Sequence, residues 1–321
     1  MFQKTKKRFY RTLMLIALLL VVLIVAPSIF LFTNIFYSTY ESMAKNQLDR
    51  GISAGRMFVD SIMSTTDNLA LNRQLIETLD GTRSGSLAPL LDSTCTYSLD
   101  IAAITVYGEN GAVYTSSGVT NPPSAAELAS LADIAEFFAD EDADEYVSLR
   151  TSAIIKAYDN APYDARAGII SYCRKVYAED GSLLGCIFAD IFPHELFERF
   201  NMTDGGADGS VILIAFGGGH FSSEGGEAAQ EYLRAEADTS VGGRLVIAST
   251  RNFYGGTIRA AVPLAPFYQN TLLIAAIILL CGGALLYAAH WIARIAADWV
   301  TNRLNGLLQQ MIESSRKINS L

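Results

Sequence analysis

Histidine, cysteine and glycine are the residues here whose spacing could signal catalysis or metal binding. The three histidines, His194, His220 and His290, lie far apart and form no metal-ligand pattern. Gly217–Gly219 reads as a turn, because no lysine of a phosphate-binding loop follows it. His220, beside serines, reads as a turn residue rather than a base, and no Gly-x-Ser-x-Gly elbow is present. Cys95, Cys173, Cys186 and Cys281 lack zinc-type spacing, and Cys281 sits inside an apolar run. Cys173 and Cys186 are expected on paired strands, placed diagonally rather than opposite, which predicts free, buried thiols. The chain therefore reads as non-enzymatic, with no metal and no cofactor. Recognition is the chemistry left to it.

Two long apolar segments frame the elements that would do the recognising. No charged residue occurs from Thr12 to Tyr40, and no Asp, Glu, Lys or Arg from Ala260 to Ala293. About 20 apolar residues cross a bilayer as a helix, so residues 12–33 and 270–292 are predicted to span one. The first run is longer than a cleaved signal peptide's, and no small-x-small cleavage site follows it. Residues 1–11 carry Lys4, Lys6, Lys7, Arg8 and Arg11 and no acid, whereas residues 34–269 carry a net charge of −16. Basic flanks stay in the cytoplasm. This predicts a two-pass plasma-membrane protein in contact with the lipid bilayer, with both termini cytoplasmic and residues 34–269 outside. The acidic charge excludes nucleic acid as a partner.

The outer segment reads as α+β. Residues 41–79 are predicted to form one long helix, with Leu48, Ile52, Val59, Ile62, Leu69 and Ile76 on one stripe interrupted by Gly55, Thr66 and Arg73. That stripe suits either the domain's own sheet or a partner helix. Residues 80–200 read as a first, larger sheet module. Ile101–Tyr107 and Ala112–Ser117 flank the turn Gly108–Gly111, residues 124–139 read as a helix, and residues 147–156 as a strand. Gly168–Tyr177 and Leu183–Ile191 form a hairpin around Asp180-Gly181, and Pro193 opens a short helix. Residues 201–269 read as a smaller, similar module. Its strands are Ser210–Phe216, His220–Ser223, Arg244–Thr250 and Thr257–Pro263, with a helix over 224–237.

Taken in order, these features resemble the double Cache sensors of bacterial transmembrane receptors. The resemblance is carried by Lys6-Lys7-Arg8-Phe9, the apolar helix with Pro27, the long helix, Ile104–Ser117, Ile170–Asp190 and Ala261–Leu264. It is closest in style to Firmicute sensor kinases and membrane-bound AraC-type regulators. It implies two PAS-like antiparallel-sheet modules, residues 80–200 membrane-distal and residues 201–269 membrane-proximal, and a small polar ligand held between the distal sheet and its covering helices. Tyr107, Tyr114, Ser116, Tyr172, Arg174 and Asp190 are the aromatic and polar residues suited to that role. An arginine forks onto a carboxylate, and an aspartate accepts from an ammonium. Asp190 matches the aspartate that closes the second strand of the family hairpin, and it also suits a cap on the helix that Pro193 opens. Strict alternation puts Arg174 and Asp190 on opposite sheet faces unless a bulge intervenes. The Arg-x-Trp-Tyr pattern of amino-acid-binding members is absent after residue 118, and Ile295–Trp299 lacks the proline common in HAMP connectors.

Residues 293–321 continue with Ala297, Val300, Leu304, Leu307, Met311, Ser314, Ile318 and Leu321 at alternating three- and four-residue spacing. This is a coiled-coil or HAMP-like seam, and it predicts a homodimer joined through helices. The expected function is to sense an extracellular ligand and signal to a kinase or AraC-type output outside this chain. A membrane-anchored assembly protein is the alternative.

Overall fold

The computed structural model describes residues 2–98, 101–150, 168–200, 209–216, 219–223, 227–249 and 251–318. It comprises two compact units, one of residues 1–40 with 265–321 and one of residues 41–264. Helix α1 (Phe2–Ala70) contributes to both.

In the first unit, α1 packs against the last helix, α8 (Ala265–Ile318). Gly282 lets them approach closely, since a Cβ there would meet Val25 Cγ2 at 2.9 Å. Phe267 stacks on Phe36 at 5.8 Å and meets Tyr37 edge-on. Leu15, Leu23, Phe30, Leu272, Leu280 and Ile292 point outward with no protein covering them. Both helices are long and apolar enough to cross a membrane.

The second unit opens on the remainder of α1, whose predicted stripe has a definite destination. Leu48, Ile52, Val59, Ile62 and Leu69 are all buried within the domain itself. At about 1.5–3 kcal/mol per fully buried aliphatic side chain, this burial fixes the helix to its own sheets. The helix does not run to residue 79. It breaks after Ala70, where the Asn72 side chain accepts from the Gln74 and Leu75 amides and starts α2 (Arg73–Leu79). Helix α3 (Ala88–Tyr97) follows, with proline at its start.

The distal sheet contains β1 (Ala103–Gly108), β2 (Val113–Thr115), β3 (Glu145–Arg150), β4 (Ile169–Tyr177) and β5 (Leu183–Ile191), in the antiparallel order β2-β1-β5-β4-β3. The predicted helix over 124–139 is two helices, α4 (Ala125–Ala129) and α5 (Ala132–Ala139). A reciprocal Ser124–Glu127 capping box fixes the start of α4. Of the strand predicted over 147–156, residues 151–156 lie outside the described residues. Helix α6 (Pro193–Arg199) leads out of β5.

The proximal sheet repeats the pattern with β6 (Val211–Phe216), β7 (Gly219–Ser222), β8 (Thr239–Val241), β9 (Arg244–Ala248) and β10 (Thr257–Pro263), in the order β7-β6-β10-β9-β8. Helix α7 (Glu227–Arg234) covers it. Residues 217–218 of the predicted turn, 224–226 of the predicted helix and 250 of the predicted strand lie outside the described residues. Strand β8 is too short to show a period in the sequence. It is joined to β9 by Gly242 and Gly243 at φ +57 and +76, a two-residue turn that needs glycine. The unit is α+β, with a long N-terminal helix and two antiparallel sheets.

Candidate ligand-binding face

The register of the distal sheet sorts its side chains onto two faces. Asp190 lies opposite Ser171 in β4 and Ala103 in β1, and Ser148 in β3 lies opposite Ser171. Successive residues of a strand point to opposite faces. One face therefore carries Thr105, Tyr107, Tyr146, Ser148, Arg150, Ser171, Cys173, Lys175, Cys186, Phe188 and Asp190. The other carries Ile104, Val106, Tyr114, Val147, Leu149, Ile170, Tyr172 and Arg174. A register shift occurs at Val176 and Tyr177, beyond Arg174, so it does not change this assignment.

Helices α4 and α5 cover the first face. Leu128, Ile134 and Phe137 pack there with Tyr107, Cys173, Cys186 and Phe188. At one end lies a polar network that the sequence reading missed. Arg150 Nε donates to Ser171 Oγ at 2.7 Å, Arg150 Nη2 donates to Asp190 Oδ1, and the Ser171 hydroxyl donates to the same oxygen at 2.6 Å. The side chains of Arg150 and Asp190 are each 3% exposed, and the guanidinium lies 5.6 Å from the Phe188 ring centroid. Withdrawing two charges from water costs several kcal/mol per ion. Asp190 thus accepts across the sheet from Arg150 and Ser171. It does not cap α6, whose start has no side-chain cap.

Toward the other end, Tyr107, Glu109, Ala125, Ala129, Phe138, Lys175 and Cys186 line a cavity of about 270 Å3 between the sheet and its covering helices. Tyr107 donates its hydroxyl to the Pro123 carbonyl at 2.9 Å. Lys175 donates to the Asp140 carbonyl at 2.5 Å and lies over the Phe137 ring. Burial pushes the Tyr107 phenol up and the Cys186 thiol up to about 12, and holds the Cys173 thiol well above its ordinary value.

The structure divides the six residues expected to bind ligand. Tyr107 and Asp190 share the helix-covered face. Tyr172 and Arg174 turn to α1: the Tyr172 hydroxyl lies 3.3 Å from Asp67 Oδ1 of α1 and donates to Glu145 Oε2 of β3 at 2.8 Å, and Arg174 Nε is 3.1 Å from Asp67 Oδ1. Burial, and then the Glu145 contact, raise the Tyr172 pKa. Tyr114 lies opposite Val106 on that same side. Ser116 is buried just past β2, where its Oγ accepts from the Ile104 amide at 3.0 Å. Strand parity is the reason for the split: Tyr172 and Arg174 are even-numbered on the strand where Ser171, an odd position, lies opposite Asp190.

All four cysteines are free. Cys173 pairs with Phe188 and Cys186 with Lys175, so the two thiols are diagonal neighbours, as expected. Among the described residues no cluster of His, Cys, Asp and Glu could hold a metal ion.

No family model matches the chain, and no curated protein does. Solved structures do. The ligand-binding domain of Mlp24 with asparagine is 16% identical with a TM-score of 0.51, covering 74% of this chain and 98% of that one. The sensor domain of the V. cholerae histidine kinase DctB is 12% identical with a TM-score of 0.50, covering 71% and 98%. The ligand-binding domain of the Pseudomonas aeruginosa PAO1 chemoreceptor PctB, in complex with L-Arg, is 13% identical with a TM-score of 0.50, covering 72% and 98%. The unit of residues 41–264 has the double Cache fold seen in these sensor domains. Two helices suited to a membrane flank it.

Proposed function

We propose that this chain is the sensing part of a transmembrane receptor. Its outer unit takes a small zwitterionic or carboxylate ligand on the helix-covered face of the distal sheet. The observation that carries the reading is the buried Arg150–Ser171–Asp190 network on the sheet face that also carries Tyr107. Arginine and aspartate are the natural partners of a carboxylate and an ammonium, the two groups of the amino acids named with Mlp24 and PctB. The two residues pair with each other in the buried network, and a ligand bearing both charges exchanges with that pair. The basic leader and acidic outer segment support cytoplasmic termini. Helix α8 runs on past the apolar segment to Ile318, which supports relay to an output module outside this chain. Leu304, Leu307 and Met311 are exposed there and suited to pairing two copies. Ala297 is not, since it is buried.

The test is calorimetric titration of L-amino acids and dicarboxylates into the detergent-solubilised chain. A ligand that binds should lose roughly ten- to hundred-fold in affinity in the paired variant Arg150→Gln/Asp190→Asn, as expected for a charged hydrogen bond. The paired change avoids leaving one buried charge alone, which costs about 3–5 kcal/mol. Tyr172→Phe and Arg174→Gln, on the α1 side, should leave affinity unchanged. The opposite pattern would move the site to the α1 side.

A further inference from the structure

We infer that the basic ends of the two apolar helices form a site for the phosphate headgroup of an anionic bilayer lipid. Lys6, Lys7 and Tyr10 of α1 and His290, Arg294 and Ala297 of α8 line an open cavity of about 530 Å3. Three of these six residues are cationic. Lys6 pairs with Asp298, whereas Lys7 and Arg294 have no carboxylate within ion-pair distance among the described residues. The Tyr10 hydroxyl is 2.6 Å from His290 Nδ1, and their rings meet edge-on at 5.8 Å. That contact ties the two helices together at one end of the cavity.

The depth of the cavity argues for a headgroup. The charge-free run begins at Thr12 in α1 and ends at Ala293 in α8, so the cavity straddles the point where both helices pass from apolar to charged. Trp291 and Trp299 are 58% and 64% exposed there, as aromatic residues at the membrane–water interface are. Lysine offers a point charge and arginine a planar fork to phosphate oxygens, and basic pockets between membrane helices hold anionic headgroups. A dissolved phosphate has the same chemistry. The lipid is favoured because Ile292 and Ile295, beside the cavity, turn apolar side chains outward where acyl chains would lie. The inference rests on the reading that both helices span a bilayer.

The chain's only tryptophans are Trp291 and Trp299, so their fluorescence reports on lipid at this place. The full chain is reconstituted in phosphatidylcholine bilayers holding equal fractions of either brominated phosphatidylglycerol or brominated phosphatidylcholine. Quenching should give a several-fold preference for phosphatidylglycerol, at roughly five-fold per engaged cation. Lys7→Gln/Arg294→Gln should remove the preference, and Lys7→Arg/Arg294→Lys should keep it. Arg8→Gln/Arg11→Gln, which removes the same charge outside the cavity, should also keep it. Equal quenching by the two lipids, or an equal fall in both glutamine pairs, would overturn the site. Loss of the preference on adding inorganic phosphate would assign the cavity to a soluble anion and overturn the lipid. Absence of quenching by either lipid would overturn the spanning reading itself.

Discussion

Cys173 and Cys186 share the helix-covered face with Asp190, and their surroundings set their chemistry. Burial disfavours the thiolate, raising Cys186 to about 12 and Cys173 well above its usual value. An unfolded thiol titrates near about 8.5. The folded pKa is therefore the higher one, and stability is fully present below about pH 8.5 and lost as pH rises toward the folded value. Chemical denaturation of the chain should give a lower unfolding free energy at pH 10 than at pH 7. Iodoacetamide should label Cys186 and Cys173 only after denaturant is added. Labelling of both in the native chain at pH 8 would mean that the face is open to solvent. Arg150 shows the reverse limit on reading residues. Its charge is plain in the sequence, yet its partners Ser171 and Asp190 lie 21 and 40 positions away.

Among the elements, α1 sets the framework of the outer unit, and a glycine notch in it decides how α6 docks. A Cβ on Gly51 would lie 3.0 Å from the Phe200 carbonyl oxygen, and one on Gly55 would lie 3.2 Å from the Phe200 ring. Phe200 itself is almost fully buried. Glycine inside a helix costs about 1 kcal/mol relative to alanine; here it makes room for an aromatic ring. At Gly55 the two effects oppose each other. Alanine gains helix propensity but crowds the ring, so Gly55→Ala should be near neutral. Gly55→Leu has no such offset and should destabilise by about 1–3 kcal/mol through overpacking, read by urea denaturation followed by circular dichroism. Gly55 looks like an interruption of the apolar stripe in the sequence. The interruption is the seat of Phe200.

At the scale of the whole chain, charge asymmetry and apolar length make one prediction about topology. With basic flanks retained inside, a cysteine replacing Asp142 in a Cys95→Ser background should react with a membrane-impermeant maleimide in intact cells. A cysteine replacing Lys6 should react only after permeabilisation. The reverse pattern would invert the protein. Residues 41–264 form a unit of their own, so the labelling at position 142 can be read on a folded domain.

The sequence by itself determined what is local or additive. Apolar runs, the basic leader, the turn at Asp180-Gly181 and the alternation of β4 and β5 were legible because hydrophobic length, charge and strand period act over short spans. The diagonal relation of Cys173 and Cys186 followed from the same hairpin. Tertiary structure alone decided what depends on distant pairing. The sheet orders, the short strand β8 and the use of the α1 stripe by the chain's own domain required distant partners to be known, whereas alternation alone had already set Arg174 and Asp190 on opposite faces. Arg150 joined Asp190 because β3 pairs with β4, and β4 with β5. A one-position change in that register would have turned the arginine to the other face.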